Sequence, residues 1–500
     1  IRDSANSAAW ENQFGISTEV GFKGGIKNTS FIDTADQYGG NWNAYRVDAE
    51  TALNWGKHTK FLNFYYQAFM LESRKLSFYS DFNFRRDVEA WYQDPYSHNI
   101  IAGDNEIDIN TPTHMYLQYA GDITSFKIGR FPQKFGPSPT RSLVISGAPW
   151  HDAVRFDLKT GFLNFSFFAS SLNPYLTGAP STPGENLIDA EWEKQRYTPV
   201  SNQRERIYME MSKTLFAHRF TLDFHPLEVS IMESIIIGGK HPDFRDINPL
   251  IAWHNNYPDG FSNLILSLDA KYQWKEGVFT YGEFAMDDLR GGNAEEKESS
   301  ANIIAYMAGH QHSLKLSDFI FTIGSEWIKT SANYGNRDLP LLKWTSRHAL
   351  RSNYRLREED GFGDTYIIDY PLGYFRGSDV EDFWLDFTIY QTDWKWLNSL
   401  AYLQTGAKTL ASDFNQGLGV NESSPTGLVL EEFRIESDFI YTFKTSLKDS
   451  FSILLGGLWR HYQGPLKNQA PSQKFGLRLS LKSNLWWEKN TQKITPKQSL

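Results

Sequence analysis

The sequence predicts an all-β fold: a transmembrane antiparallel β-barrel of about 16–18 strands, with long extracellular loops and no separate helical domain. Three observations predict it. Apolar and polar residues alternate over stretches of roughly ten residues along nearly the whole chain. Phe, Tyr and Trp make up 15% of the residues while charged residues reach 22%, so a greasy surface and a polar one must coexist. No stretch approaches the ~18 consecutive apolar residues that a transmembrane helix needs.

The alternation is clearest at Leu264, Leu266, Leu268, Ala270, Tyr272 and Trp274, with Ile265, Ser267, Asp269, Lys271 and Gln273 between them. A strand sends successive side chains to opposite faces, so Leu266 is expected to face lipid and Asp269 the lumen. The first such run is Ile16, Thr18, Val20 and Phe22. Leu76, Phe78, Phe82 and Phe84 follow, then Val154, Phe156 and Leu158 against Arg155, Asp157 and Lys159. Ile207, Met209 and Met211 form another run, and so do Phe220, Leu222 and Phe224. Phe383, Leu385, Phe387 and Ile389 oppose Trp384, Asp386 and Thr388. Phe433, Ile435 and Phe439 oppose Arg434, Glu436 and Asp438, and Phe475, Leu477, Leu479 and Leu481 come last. The runs span about 14–487, which predicts one barrel over residues 1–500 with a short tail at 488–500. Gly, Pro, Asn and Asp concentrate in the expected loops at 89–113, 173–203, 240–262, 289–300, 331–364 and 411–426.

A soluble β-sandwich also alternates, with one face on its core. Against it stand the number of unbroken apolar faces and the aromatics gathered near run ends: Tyr65 and Tyr66, Trp394 and Trp396, Trp486 and Trp487. Such rings form belts at both membrane interfaces. The expected surroundings are therefore outer-membrane lipid, reached through the barrel-assembly machinery after removal of a targeting segment. A net charge of −9 without a basic stripe argues against nucleic acid as a partner. Cys is absent, which removes disulfides and thiolate metal sites.

Several motifs carry chemistry. Gly129-Arg130-Phe131-Pro132-Gln133-Lys134-Phe135-Gly136-Pro137 follows a strand-like run and turns at a Gly-Pro, which puts Arg130 at a lumen or mouth. This segment resembles the Gly-Arg…Trp-Gly-Pro stretch of Wzi-type capsule assembly proteins, with Phe135 at the aromatic position. Asp246-Ile247-Asn248-Pro249-Leu250 follows Met232-Glu233-Ser234 in that family's order. The strands containing Asp269 and Glu283 are similar to its paired mid-barrel strands, and Leu372-Gly373 to Gly377-Ser378-Asp379 is similar to its Leu-Gly…Gly-x-Asp loop. The matches run from about residue 115 to 390 in the same order. The resemblance implies an outer-membrane barrel of about eighteen strands. It also implies a lectin, not an enzyme, that binds capsular polysaccharide and attaches it to the cell surface through a barrel that is not an open pore. Arg130, Gly136, Pro137, Asn248, Pro249, Asp269, Glu283, Gly377 and Asp379 are its motif positions here. Two departures are that strands begin almost at once, without a helical bundle before them, and that a tail follows Trp487.

For sugar binding, the loop clusters Trp91-Tyr92-Gln93-Asp94 and Trp253-His254-Asn255-Asn256-Tyr257 offer aromatic faces beside amides and a carboxylate. Trp91, Tyr92, Asp94, Trp253, Asn255, Asn256 and Tyr257 are the candidate contacts, and the alternative is that these rings pack the loops or sit in a girdle. Asp104, Glu106 and Asp108 alternate, as do Asp379 and Glu381, but neither run has the EF-hand spacing; solvated acidic loops are the expectation, with no metal and no cofactor. His310 and His312 alternate on a strand, which suits neither a helical zinc motif nor a triad, and no Gly-x-Ser-x-Gly elbow occurs. Three functions remain open: a surface or capsular polysaccharide anchor, a porin or substrate channel, and an outer-membrane hydrolase.

Overall fold

The computed structural model describes residues 11–27, 62–72, 75–84, 114–148, 150–174, 212–255, 261–288, 302–337, 340–351, 365–408, 410, 423–444, 450–463 and 472–489. The strands are β1 (Glu11–Lys27), β2 (Leu62–Glu72), β3 (Leu76–Phe84), β4 (His114–Ala120), β5 (Thr124–Phe131), β6 (His151–Thr160) and β7 (Leu163–Leu172). They continue as β8 (Lys213–Phe224), β9 (Leu227–Gly238), β10 (Ser262–Lys275), β11 (Val278–Asp288), β12 (Ile303–Leu316) and β13 (Phe319–Thr330). A hairpin of β14 (Thr345–Arg351) and β15 (Thr365–Pro371) follows, then β16 (Val380–Tyr390), β17 (Trp394–Thr405), β18 (Leu430–Lys444), β19 (Ser450–Gln463) and β20 (Ser472–Lys489). Eighteen strands form one antiparallel sheet in which each pairs with its chain neighbours, β13 pairs with β16, and β1 pairs with both β2 and β20. The pairing order returns on itself, and eighteen is the upper end of the predicted number.

β14 and β15 form a separate two-stranded sheet; β14 lies inside the stretch 331–364 predicted as loop, and β15 begins directly after it. Their sequence, with Arg347 and His348 on one strand and Asp369 on the other, lacks the apolar alternation that flagged the wall strands. The expected run at 207–211 lies outside the described residues.

The connections after β2, β4, β6, β8, β10, β12, β16 and β18 are two to five residues long, and those between them are longer. Short turns mark the periplasmic end of such a barrel and long loops the extracellular end.

Burial tests the predicted faces. Leu268 is 46% exposed while its neighbours Ser267 and Asp269 are 0% and 5% exposed, so the first points outward and the others inward. Aromatic rings edge the outward face at two levels. Near the extracellular end, Trp327, Phe383, Tyr402 and Phe433 are cross-strand neighbours on β13, β16, β17 and β18. Near the short turns, Phe319 meets Trp394 (5.9 Å), Trp394 meets Phe439 (5.6 Å) and Tyr441 meets Phe443 (4.5 Å). Phe433 and Phe443 lie ten residues apart on β18. At about 3.4 Å per residue and a tilt of about 40°, that is about 26 Å of height, close to the ~25 Å apolar band of an outer-membrane barrel.

The register makes a prediction. Leu268→Arg places a charge in the lipid band and should cost about 2–4 kcal/mol of folding free energy. Ile320→Arg, the same change of charge on the inward face beside a short turn, should cost under ~1 kcal/mol. Urea titration of folding into lipid vesicles measures both, and equal costs would contradict the assigned faces. Leu266 also points outward, but the β9–β10 connection packs over it, so Leu268 is the cleaner site.

Candidate functional site

The inner wall is not empty. On β13 the inward-facing Ile328 is fully buried, whereas Ile320, eight residues nearer the periplasm on the same face, is 43% exposed. Among the described residues, chain fills the extracellular half of the lumen and leaves the short-turn half open.

The filling begins where β5 ends. Residues 132–148 turn into the lumen, and Leu143, Val144 and Ile145 reach zero exposure. Phe135 N–H donates to the Ile145 carbonyl (3.0 Å), which folds this plug on itself. Segments after β13 and β15 complete it. Trp344 Nε1 donates to the Val144 carbonyl (2.8 Å), Tyr334 Oη to the Leu143 carbonyl (3.1 Å), and the Ser146 amide to the Leu372 carbonyl (2.8 Å). Burial pushes the Tyr334 and Tyr374 phenols well above their usual range, so both remain neutral donors.

Two wall carboxylates pin the plug. Glu283 on β11 accepts from Ser142 Oγ (3.0 Å) and from the Leu143 amide (3.1 Å). Glu326 on β13 accepts from Ser138 Oγ, Tyr281 Oη and Arg141. The Arg141 guanidinium also lies 4.2 Å over the Trp384 ring. Gly136 makes room for the pin: its φ is +123°, and a Cβ there would come within 3.0 Å of Glu283 Oε2. Pro137 is buried beside it. Asp269 is drawn in through Arg219, whose Nη2 donates to its Oδ1 (2.9 Å). Burial lowers the Lys134 pKa, while the nearby Glu283 and Glu326 charges oppose that shift.

A second knot ties the extracellular segments. Asp379, fully buried with φ +59°, accepts from Ser424 Oγ (2.8 Å), the Thr426 amide (2.9 Å), Thr426 Oγ1 (2.7 Å) and the Lys408 amide (3.0 Å). This corrects the expectation of a solvated acidic run. Asp379 is saturated by donors inside the protein, while Glu381 points outward to Lys329 (2.7 Å). Gly377 sits one turn earlier, and its carbonyl accepts from Thr330 Oγ1 (3.1 Å).

Three predicted positions, Arg130, Asn248 and Pro249, lie elsewhere. Arg130 is at the extracellular end of β5 but on the outward face, because alternation gives the inward position to the fully buried Phe131. It pairs with Asp152 through two 2.8 Å bonds and stacks 3.8 Å over Trp150, so it belongs to the outer rim and not to the lumen.

Asn248 and Pro249 lie on the β9–β10 connection, which folds down the outside of the wall and carries a short helix, α1 (Phe244–Ile247), capped by Asp243. Trp253, only 1% exposed, stacks on the outward-facing His218 (4.1 Å, 10° between planes). His218 Nε2 meets Glu233 Oε2 (3.1 Å), its Nδ1 meets the Pro249 carbonyl (2.8 Å), and the Trp253 amide donates to Glu233 (2.9 Å). Asn248 Oδ1 accepts from the Leu250 amide (3.1 Å). Trp253 is therefore a packing anchor and presents no ring face to a sugar. Trp91, Tyr92, Asp94, Asn256 and Tyr257 lie outside the described residues, and so does the side chain of Asn255.

Trp253→Ala should free this strap, at the roughly 3–5 kcal/mol typical of losing a buried Trp. Protease cleavage within 240–255 should accelerate while the barrel stays intact. Unchanged cleavage would mean that His218 and Glu233 hold the strap unaided.

Alternation alone did not single out Glu326, Arg141, Tyr334 or Trp344. Glu326 was within reach, since it is a charge at an inward position of a regular strand. The others lie in connections whose path the sequence does not encode by period.

The fold and its filled lumen define an outer-membrane β-barrel with an internal plug. The chain matches no protein-family model and no curated protein sequence. Its structure is similar to that of Wzi from Escherichia coli, described as an outer membrane protein involved in group 1 capsule assembly and a carbohydrate-binding β-barrel. That likeness has 13% identity, covers 95% of this chain and 84% of that one, and has a TM-score of 0.48. It is also similar to OccK3 (OpdO) of Pseudomonas aeruginosa (9% identity, 96% of each chain, TM-score 0.41). OccAB4 of Acinetobacter baumannii is similar too (10% identity, 95% of this chain and 98% of that one, TM-score 0.41). These likenesses concern the fold and leave membership of the Wzi-type family unestablished.

Proposed function

We propose that this protein is a non-conducting barrel of the bacterial outer membrane that binds surface or capsular polysaccharide and helps attach or assemble it at the cell surface. The observation that carries the reading is the filled lumen, buried at Ile328 and open only below it at Ile320. A barrel stoppered by its own chain offers binding surfaces at its two ends and no diffusion path through its middle. In this reading outer-membrane lipid surrounds the wall, and the barrel-assembly machinery inserts it.

Binding is favoured over hydrolysis by the setting of a His–Ser contact. His151 Nδ1 lies 3.3 Å from Ser170 Oγ, but the two residues are 2% and 3% exposed and the imidazole packs against Phe168 (5.2 Å). Neither a glycan nor a hydrolytic water has access to that pair. A second reading, a porin or substrate channel, is favoured by the charges on the inner wall: Arg155, Arg219, Arg434 and Glu432. These are paired with one another or with carboxylates, as in a wall stabilised by cross-strand networks.

Planar-bilayer recording and a glycan array on the same preparation separate the readings. A silent, inserted barrel that retains capsular or exopolysaccharide is expected. Steady conductance with no glycan retained would replace this proposal with the channel.

A further inference from the structure

Two polar spots on the outward wall are closed by the protein itself. His218 and Glu233 lie under the β9–β10 strap. Ser437 Oγ donates to Asn398 Oδ1 (2.8 Å) and accepts from Trp396 Nε1 (3.0 Å), and Asn398 Nδ2 donates to the Phe387 carbonyl (3.5 Å). A larger polar spot, across β11–β13, is left open. On β12 the outward residues run Tyr306, Ala308, His310, His312, Leu314 and Leu316. At about 3.4 Å per residue and a tilt of about 40°, His310 and His312 lie about 10 and 16 Å below Tyr306, in the middle of the apolar band. The register sets Thr280 and Ser325 on either side of His310. Trp274 Nε1 donates to Thr280 Oγ1 (2.9 Å), which lies 3.0 Å from His310 Nδ1. There the chain of bonds stops. Among the described residues, His310 Nε2, both ring nitrogens of His312 and Ser325 Oγ have no hydrogen-bond partner. Ala270, Gly282 and Ala308 form the adjoining row, a shallow recess beside the ridge of Leu268, Phe284 and Tyr306.

Hydrocarbon offers these groups neither donor nor acceptor, and ionisable side chains at that depth ordinarily face protein or water. Lipid headgroups do not answer them, because His310 lies about 10 Å below the upper aromatic level, beyond the reach of an imidazole. What remains is another protein surface at the same depth. Contacts between proteins inside a membrane use this composition: small residues for close approach, with Ser, Thr and His bonding across. The spot contains no Asp, Glu, Lys or Arg. Its hydroxyls donate and accept, and its imidazoles do the same through their two nitrogens. It is therefore complementary to itself, as a twofold contact between identical surfaces requires.

We propose that the outward face of β10–β13 is the contact at which two copies of this chain pair in the membrane, closing His310, His312 and Ser325 across the interface. The proposal stands apart from the polysaccharide reading and uses no residue assigned to the plug or the extracellular knot.

The chain has no Cys, so one cysteine on a short turn takes one fluorophore. Asp318→Cys lies on the β12–β13 turn beneath the spot, and Asp122→Cys on the β4–β5 turn, eight strands away around the wall. Full-length copies labelled with donor and with acceptor are reconstituted together in phospholipid vesicles at falling protein-to-lipid ratios. Energy transfer between copies should be strong from Asp318→Cys and weak from Asp122→Cys, and should persist at dilutions where randomly mixed barrels show none. In the Asp318→Cys background, His310→Leu with His312→Leu should need at least tenfold more protein per lipid for the same transfer. Ser325→Ala should weaken pairing partly, and Asn398→Ala, at a spot already closed, should leave it unchanged. Unheated gel migration confirms that each variant barrel is assembled. Transfer no greater than that of a random mixture, equal transfer from the two turns, or undiminished transfer by the assembled double variant would each overturn the interface.

Discussion

Glu283→Ala combined with Glu326→Ala should turn a silent barrel into a conducting one. These carboxylates are wall residues that reach inward to the plug, and the wall does not depend on them. Glu283 holds Ser142 and the Leu143 amide; Glu326 holds Ser138 and Arg141. Hydrogen bonds to charged groups contribute about 1.5–3 kcal/mol each, and removing one partner of a buried pair costs about 3–5 kcal/mol. Loss of even 3 kcal/mol shifts a closed–open equilibrium by about 150-fold. The strand ladders are untouched, so the barrel should still migrate as a folded species on unheated gels while brief openings appear in planar bilayers. Glu326→Gln is the informative control. It keeps an acceptor for Ser138 but leaves Arg141 with Asp386, 3.6 Å away, as its remaining carboxylate. Its conductance should fall between the two extremes. A silent double variant would mean that the apolar contacts of Leu143, Val144 and Trp344 hold the plug without the carboxylates.

The legible and illegible parts of this protein divide along physical lines. The wall was legible because lipid and lumen impose a period of two on every strand. Val154, Phe156 and Leu158 against Arg155 and Asp157, or Phe433 and Ile435 against Arg434 and Glu436, could be placed on their faces without coordinates. The same rule, applied one residue further, corrects the reading of Arg130. Phe131 is the inward residue, and Arg130 must then sit on the outer rim with Asp152. The plug was not legible, because its residues have no period. Leu143, Val144 and Ile145 are consecutive apolar residues in a connection, and the partners that bury them, Trp344 and Leu372, lie some two hundred residues on. Trp253 misled for a related reason. A Trp beside His and Asn looks like a sugar platform in sequence. Only the outward-facing His218 and Glu233, on strands otherwise apolar outside, reveal that this segment must cover a polar spot on the wall.

Asp379 is where one substitution should have the largest local effect, because four donors from two segments converge on a single carboxylate. Asp379→Ala would strand the amides of Lys408 and Thr426 and the Thr426 hydroxyl, while Ser424 Oγ keeps the Thr330 carbonyl (2.7 Å) as its acceptor. Each buried group left unpaired costs about 1–3 kcal/mol, and the left-handed backbone adds about 1–2 kcal/mol for Ala. Taking about 4 kcal/mol as the net loss, amide hydrogen exchange at Lys408 and Thr426 should quicken by about a thousandfold, since about 1.4 kcal/mol is tenfold. Asp379→Asn should quicken it far less, because Asn tolerates φ near +59° and keeps one strong acceptor. Gly406 makes the complementary case. A Cβ there would collide with the Asp379 carboxylate and the Thr426 amide nitrogen, so Gly406→Ala should reproduce part of the Asp379→Ala phenotype while removing no hydrogen-bonding group. If Gly406→Ala and Asp379→Ala both leave exchange at Lys408 and Thr426 unchanged, the two segments are joined by something other than this knot. If both quicken it and glycan retention falls in parallel, the extracellular segments that Asp379 ties together belong to the binding surface.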